Sequence, residues 1–223
     1  MKRFFVTGTD TGVGKTLVSG ALLAELEAQG LEPRAFKPYE SGGVGDAEFL
    51  RRCAGGRQSL DEVCVARFRA PLAPGVAAEL ERRPVSFARV RRHLERSMGE
   101  CAVVEGAGGL LVPLDARHDV ADLAQALKLP VVLVGRAGLG TLNHVGLSLV
   151  ELDRRKLPVA AVVLVQSVRG ADASVKHNVR WLERRHPGVR VLGPIGFHAH
   201  PAKRLAAARR VKVRSTISCA GTP

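Results

Sequence analysis

Short apolar runs alternate with longer amphipathic stretches along most of the chain. Four apolar runs predict buried strands: 4–6, 101–104, 130–134 and 158–165, the second of them continued by 110–114. Several are apolar at every position, as expected of parallel strands with helices on both faces. Two shorter strands are predicted at 33–37 and 189–193. Helical spacing is found at 17–29, 47–53, 76–82, 87–98, 120–127, 141–155 and 174–185.

Strands and helices alternating at this rhythm predict a doubly wound α/β fold, with a mainly parallel sheet flanked by helices on both faces. A chain of 223 residues can bury a full core, and no internal repeat or linker divides it. We therefore expect one domain over residues 1–223. From about residue 199 the pattern fades into alanine and arginine, so 199–223 is predicted to be a basic, partly disordered tail.

A glycine-rich stretch, Gly8-Thr9-Asp10-Thr11-Gly12-Val13-Gly14-Lys15-Thr16, lies between the first strand and the first helix. Strand, glycine loop and helix in this order are typical of a phosphate-binding loop, whose N–H groups and helix N-terminus face the phosphates. Lys15 would reach the β- and γ-phosphates, and the Thr16 hydroxyl would ligate Mg²⁺. Five residues, rather than the common four, separate Gly8 from Gly14. The stretch predicts a P-loop that binds a nucleoside triphosphate.

Polar residues follow the other predicted strands at the same edge of the sheet. Glu105 is a candidate second Mg²⁺ ligand, and the glycines after it allow a phosphate to approach the backbone. Lys37 could neutralise charge that develops on a transferring γ-phosphoryl group. Thr11 and Ser41 offer hydroxyls to a small substrate, and Gln166 also falls at this edge.

Structural interpretations of the same residues stay open at this point. Glu105 could be a surface carboxylate at a turn, and Lys37 a solvated surface charge. Asp46 could either complete a Mg²⁺ shell or form the N-cap of the helix at 47–53. The segment 39–46 is predicted to be a flexible glycine-rich loop.

The net charge of +13 comes from arginines concentrated at 82–96, 180–190 and 203–214. Such runs could bind a polyanion, but one Trp and one Tyr give few surfaces for base stacking, so we expect no nucleic-acid partner. No apolar run is long enough to span a bilayer, so no membrane partner is expected. Four cysteines without metal-ligand spacing are typical of reduced thiols in the cytoplasm.

Four motifs together resemble the dethiobiotin synthetase family: 8–16, Lys37-Pro38 with Ser41-Gly42, 104–109, and Gly140-Thr141-Leu142-Asn143-His144. The five-residue spacer in the P-loop is that family's form, and the likeness runs to about residue 196. The resemblance implies a homodimeric, ATP-dependent carbon–nitrogen ligase of biotin synthesis. Such an enzyme closes the ureido ring of dethiobiotin from 7,8-diaminononanoate and CO₂, through a carbamate and a carbamic-phosphoric anhydride, and releases ADP and phosphate.

The resemblance also implies roles for individual residues. Lys37, Lys15 and Thr11 would be catalytic; Thr11, Lys37 and Ser41 would bind the diamine; Thr16, Asp46 and Glu105 would hold Mg²⁺. Nucleotide contacts would come from Gly12, Val13, Gly14, Lys15, Thr16, Asp46, Glu105, Gly106, Ala107, Gly108, Gln166 and Ser167. The chain departs from the family at Gln166-Ser167, where Asn-Asp is usual and holds the adenine, and over 194–198.

A second function has the same broad fold. Nucleotide-switched partitioning or positioning ATPases bind DNA or a membrane, and the basic runs favour that reading. Those proteins generally carry an additional lysine near the start of the P-loop, where Thr9, Asp10 and Thr11 stand here. The sequence therefore favours the ligase.

Overall fold

The computed structural model describes residues 1–170, 172–198 and 201–210. Its strands are β1 (Lys2–Gly8), β2 (Arg34–Phe36), β3 (Tyr39–Ser41), β4 (Ala66–Phe68), β5 (Cys101–Gly109), β6 (Val131–Arg136), β7 (Val159–Val165) and β8 (Val191–Ile195). Its helices are α1 (Lys15–Ala28), α2 (Gly45–Cys53), α3 (Leu60–Val63), α4 (Pro74–Leu80), α5 (Phe87–Ser97), α6 (Val120–Leu127), α7 (Thr141–Arg154), α8 (Val175–Arg185) and α9 (Pro201–Arg210).

Within these residues, six parallel strands form the main sheet in the order β2-β5-β1-β6-β7-β8. Successive side chains of a strand point to opposite faces, so neighbouring residues enter different cores. Phe5 packs in the core beneath α5, α6, α7 and α8, whereas Phe4 packs in the core beneath α1, α2 and α9. The predicted doubly wound α/β fold is confirmed, and β1 brings the P-loop to the centre of the sheet edge.

The segment predicted to be a flexible loop at 39–46 contains β3 and the start of α2. β3 pairs in parallel with β4, with Tyr39 opposite Ala66 and Ser41 opposite Phe68. A three-residue strand whose partner is distant in sequence leaves little local signal, so the loop prediction was wrong for 39–41 and 45–46, and only 42–44 form a loop. This small sheet holds one wall of the candidate site.

Two further corrections concern β5. The strand runs through Glu105 and on to Gly109, although glycine is disfavoured in strands. The predicted continuation over 110–114 is wrong, because the chain turns there and the Leu114 N–H donates to the His118 carbonyl at 2.8 Å. The turn returns the chain to the N-terminus of α6.

The predicted basic tail is described only over 201–210, where it forms α9. Leu205 and Ala208 pack into the same core as α1, and Arg209 lies 3.8 Å from Glu25. Residues 199–200 and 211–223 of that prediction lie outside the described residues, so its disorder stays a prediction. Among the helices of the described residues, none is both long and apolar enough to cross a membrane.

Candidate active site

The P-loop wraps the N-terminus of α1. Gly14 has a φ of 104°, and a Cβ on it would lie 2.9 Å from Cγ1 of Val165, so a side chain there would be strained and crowded. No side chain caps the first turn of α1, which leaves its N–H groups free to face an anion. Lys15 begins the helix, and its Nζ donates to the Asp10 carbonyl at 2.9 Å.

Glu105 connects three segments that are far apart in sequence. Its carboxylate is fully buried, and Oε1 accepts from Lys37 Nζ at 2.6 Å and from the Thr16 hydroxyl at 2.9 Å. Lys37 Nζ also donates to the Gly106 carbonyl at 3.3 Å and lies 3.4 Å from Oδ2 of Asp46. The structure therefore brings Thr16, Lys37, Asp46 and Glu105 together beside the P-loop, and neither Glu105 nor Lys37 is a solvated surface charge.

The two lysines differ in how firmly they hold their protons. Burial, together with the like charge of Lys37, lowers the pKa of Lys15 to about 8. Burial also opposes the charge of Lys37, but Glu105 and Asp46 outweigh it and raise the Lys37 pKa above its ordinary value. Lys37 is therefore the firmly charged cation of the site, and Lys15 is the one that loses its proton more readily.

A cleft of about 600 Å³ lies along the carboxyl ends of the strands. Eleven of the predicted site residues line it: Thr11, Gly12, Gly14, Lys15, Thr16, Lys37, Ser41, Asp46, Ala107, Gly108 and Ser167. The other four do not line it. Val13 is buried in the core, Glu105 and Gly106 lie beneath Lys37, and Gln166 donates its Nε2 to the Gly170 carbonyl at 2.8 Å.

Sequence reasoning missed the apolar wall of the cleft and one carboxylate. Apolar side chains along the cleft come from Leu17, Tyr39, Pro71, Leu72, Ala73, Pro74 and Val112. Most of them belong to loops whose position depends on tertiary contacts, such as the bond from the Gly75 N–H to the Pro113 carbonyl at 2.9 Å.

The missed carboxylate is Glu40, in the middle of β3. Its Oε1 accepts the Asp46 N–H at 2.8 Å, and its Oε2 accepts the Ala47 N–H at 2.9 Å. Burial raises the pKa of Glu40, although these two hydrogen bonds oppose the shift. Asp46 is thus not the cap of α2: the helix starts at Gly45 after Val44, and the Asp46 side chain faces Lys37.

The donor set at this edge fits Mg²⁺. The Thr16 hydroxyl and the Glu105 carboxylate are hard oxygen donors, and Oε2 of Glu105 is buried with no hydrogen-bond partner. In the part of the chain that is described, no three His, Cys, Asp or Glu side chains gather into a metal cluster. Few protein ligands are needed at phosphate sites, where phosphates and water complete the octahedron.

Known proteins share the fold of this chain. A family model described as "AAA domain" matches residues 2–200. A putative plasmid partition protein of Borrelia burgdorferi B31, solved bound to AMPPNP, superposes with a TM-score of 0.56 over 96% of this chain and 98% of its own. At 11% identity that likeness concerns the fold alone, and it gives no support to the partitioning function.

Two curated relatives are much more similar in sequence, and both are named ATP-dependent dethiobiotin synthetase BioD. The protein of Anaeromyxobacter dehalogenans strain 2CP-C is 50% identical over 190 residues, 82% of this chain and 85% of the relative. That of Bacillus subtilis subsp. natto is 37% identical over 200 residues, 86% of each chain. The chain therefore belongs to the ATP-dependent dethiobiotin synthetase family.

Proposed function

We propose that this enzyme closes the ureido ring of dethiobiotin from 7,8-diaminononanoate, CO₂ and ATP, and releases ADP and phosphate. The observation that carries the proposal is the convergence of Thr16 and Lys37 on the buried Glu105, directly beside Lys15 of the P-loop. The adjoining apolar wall suits the aliphatic chain of a diamine acid.

The reaction divides into three steps. One amine of the substrate adds to CO₂ and loses a proton, which forms a carbamate. A carbamate oxygen then bonds to the γ-phosphorus of ATP, the bond to the β-phosphate oxygen breaks, and ADP leaves. The second amine attacks the carbonyl carbon of the anhydride, phosphate leaves, and the amine's proton is released as the ring closes. No protein nucleophile is required, so the protein contributes positioning and electrostatics.

The proposed roles follow from the order of these residues along the cleft and the P-loop. The backbone of Gly12, Val13 and Gly14 and the Lys15 ammonium would hold the β- and γ-phosphates. Lys37, fixed in its charged form, would stabilise negative charge on the carbamate and the transferring phosphoryl group. The hydroxyls of Thr11 and Ser41 would orient the diamine, and both residues line the cleft.

The metal and the nucleoside would occupy opposite sides of the P-loop. Thr16, Asp46 and Glu105 would hold Mg²⁺, which when bound neutralises phosphate charge. Ala107 and Gly108 line the same cleft, and their backbone, with that of Gly106, would border the phosphates. Gly14 packs against Val165, so the nucleoside would leave the loop toward Gln166 and Ser167 at the end of β7.

The direct test is incubation of the protein with diaminononanoate, bicarbonate, Mg²⁺ and ATP. We expect dethiobiotin and ADP in equal amounts, and little ADP when the diamine is left out. A folded protein that binds ATP but forms no dethiobiotin would contradict the proposal. ADP formation that responds to DNA but not to the diamine would instead support the partitioning ATPase.

We propose further that the enzyme is a homodimer joined near α7. Leu147 and Val150 of α7 are exposed, and Leu147 shares a cavity of about 320 Å³ with Leu111 and the P-loop residues Thr9–Thr11. An exposed apolar patch beside a site suits a second copy of the chain. Leu147→Glu should lower the mass in sedimentation to that of a monomer, whereas Leu80→Glu on α4 should not. An unchanged mass for both variants would refute this face.

We place the enzyme in the cytoplasm. Cys53, Cys64 and Cys101 are free thiols among the described residues, which suits a reducing compartment. Fractionation of the source cells would test this placement, and recovery outside the cytoplasmic fraction would contradict it.

A further inference from the structure

Glu40 makes two hydrogen bonds to the first turn of the neighbouring helix α2. Both of its carboxylate oxygens accept a backbone N–H, from Asp46 at 2.8 Å and from Ala47 at 2.9 Å. The residue is only 7% exposed, so these bonds are shielded from water. A carboxylate at this place also complements the positive end of the helix dipole.

Within the described chain, these are the side-chain bonds that satisfy the start of α2. The N-cap residue, Val44, has no side chain that could accept an N–H. The preceding loop carries Gly42 and Gly43 at φ values of 82° and 141°, which only glycine adopts readily. Such a loop does not hold the helix end in one place by itself, because glycine leaves its backbone many alternatives.

The held helix end carries Asp46, whose carboxylate faces the phosphate end of the cleft. Its Oδ2 lies 3.4 Å from Lys37 Nζ, and Lys37 is bonded in turn to Glu105. The Asp46 side chain is about half exposed, so packing around it does little to fix its position. Its location therefore depends on where the backbone of α2 begins.

We propose that Glu40 is a positioning residue, which holds the N-terminus of α2 so that Asp46 stays beside Lys37 and the phosphate end of the cleft. The inference rests on the function proposed above. Glu40 borders the cleft, but both of its oxygens accept amides of α2, so in this scheme it acts on the site through Asp46. A purely structural cap would stabilise the helix without affecting metal or phosphate binding.

The test is a double-mutant cycle between Glu40 and Asp46. Binding of a non-hydrolysable ATP analogue depends on Mg²⁺ in this scheme. Glu40→Ala and Asp46→Asn should each raise the Mg²⁺ concentration needed for half-maximal binding by about 10- to 100-fold, as expected of partners that orient a metal site. The double variant should be no weaker than Asp46→Asn alone, because Glu40 acts through Asp46. Losses that multiply would overturn the proposal.

Three controls separate positioning from folding. Glu40→Gln is nearly isosteric and keeps one acceptor oxygen, so it should lie between the wild type and Glu40→Ala. Glu48→Gln removes a carboxylate from the same first turn, one whose ion pair among the described residues is with Arg52 at 4.0 Å, and it should leave Mg²⁺ dependence unchanged. If Glu40→Ala lowers the melting temperature but leaves the Mg²⁺ dependence within twofold of wild type, Glu40 is a cap only.

Hydrogen exchange in the metal-free protein provides a readout that needs no activity. The amides of Asp46 and Ala47 should exchange at least tenfold faster in Glu40→Ala, and amides of α6 should not change. If the wild type forms no dethiobiotin but this cycle and the exchange behave as expected, the proposed function fails and the positioning role stands. Unchanged exchange would refute the role of Glu40 directly.

Discussion

The two ends of the cleft are built differently. At the phosphate end, Glu105 and Lys37 are buried and joined at 2.6 Å, and Thr16 completes the set at 2.9 Å. At the end proposed for the nucleoside, beside the cleft-lining Ser167, Gln166 is only half-buried, and its amide donates to the Gly170 carbonyl in its own loop. Preorganised charges act most strongly where water is excluded, so the first end is suited to chemistry and the second to loose attachment of a base.

The sharpest test of this contrast removes the cation of the buried end. Lys37→Ala should lower kcat by about 10²- to 10³-fold, the usual loss when one charge-stabilising group is removed. Affinity for ATP should change only a few-fold, because the P-loop and Lys15 remain. Single-turnover formation of dethiobiotin, together with equilibrium binding of ATP, measures the two effects separately.

Controls are needed because this change leaves Glu105 buried without its partner. Loss of one member of a buried pair costs about 3–5 kcal/mol of stability, so the variant's folding must be measured by thermal unfolding. Lys37→Arg keeps a charge and should retain the fold, with turnover reduced by the altered geometry. Lys176→Ala on the exposed face of α8 should behave as wild type. Full turnover in folded Lys37→Ala would remove Lys37 from the mechanism.

Features of the cleft that follow from local sequence could be predicted, and features that depend on tertiary contacts could not. The P-loop was predicted in full, because its strand, glycines and helix are consecutive and each follows from local preference. Lys37 and Glu105 could be placed at one edge, because parallel strands end there. The capping role of Glu40 could not be predicted, since it acts on a helix that begins five positions later and depends on how β3 packs. The apolar wall at 71–74 depends on the same kind of tertiary contact.

The second prediction concerns the stability that the protein loses because Lys15 is buried next to Lys37. Lys15→Met should abolish binding of ATP but raise the free energy of unfolding of the nucleotide-free protein by about 1–3 kcal/mol at pH 7, since a buried like charge is removed. Stability and affinity should thus change in opposite directions, as at many functional sites. Urea unfolding and ATP titration measure the two quantities.

This gain should depend on pH in a defined direction. The pKa of Lys15 is about 8 in the folded state and 10.5 in the unfolded state, so the unfolded chain binds more protons between those values. The free energy of unfolding of the wild type therefore rises relative to that of Lys15→Met as the pH rises from 8 toward 10.5. The difference in stability between the two proteins narrows over this range. Below pH 8, Lys15 is charged in both states, and the full destabilisation by its buried charge remains. A difference that stays constant from pH 7 to 9.5 would show that the Lys15 proton is not responsible.

The smallest effect is expected at the nucleoside end. Gln166→Ala should raise the KM for ATP by no more than about fivefold and leave kcat unchanged, because one neutral hydrogen bond, here to Gly170, contributes about 1 kcal/mol. Ser167→Ala is the matched comparison, since Ser167 lines the cleft itself and should have at least as large an effect on KM. Steady-state kinetics at saturating diamine distinguishes them. A rise of 100-fold or more in Gln166→Ala would mean that the amide leaves Gly170 to bind the base, and the two ends of the cleft would then be equally specific.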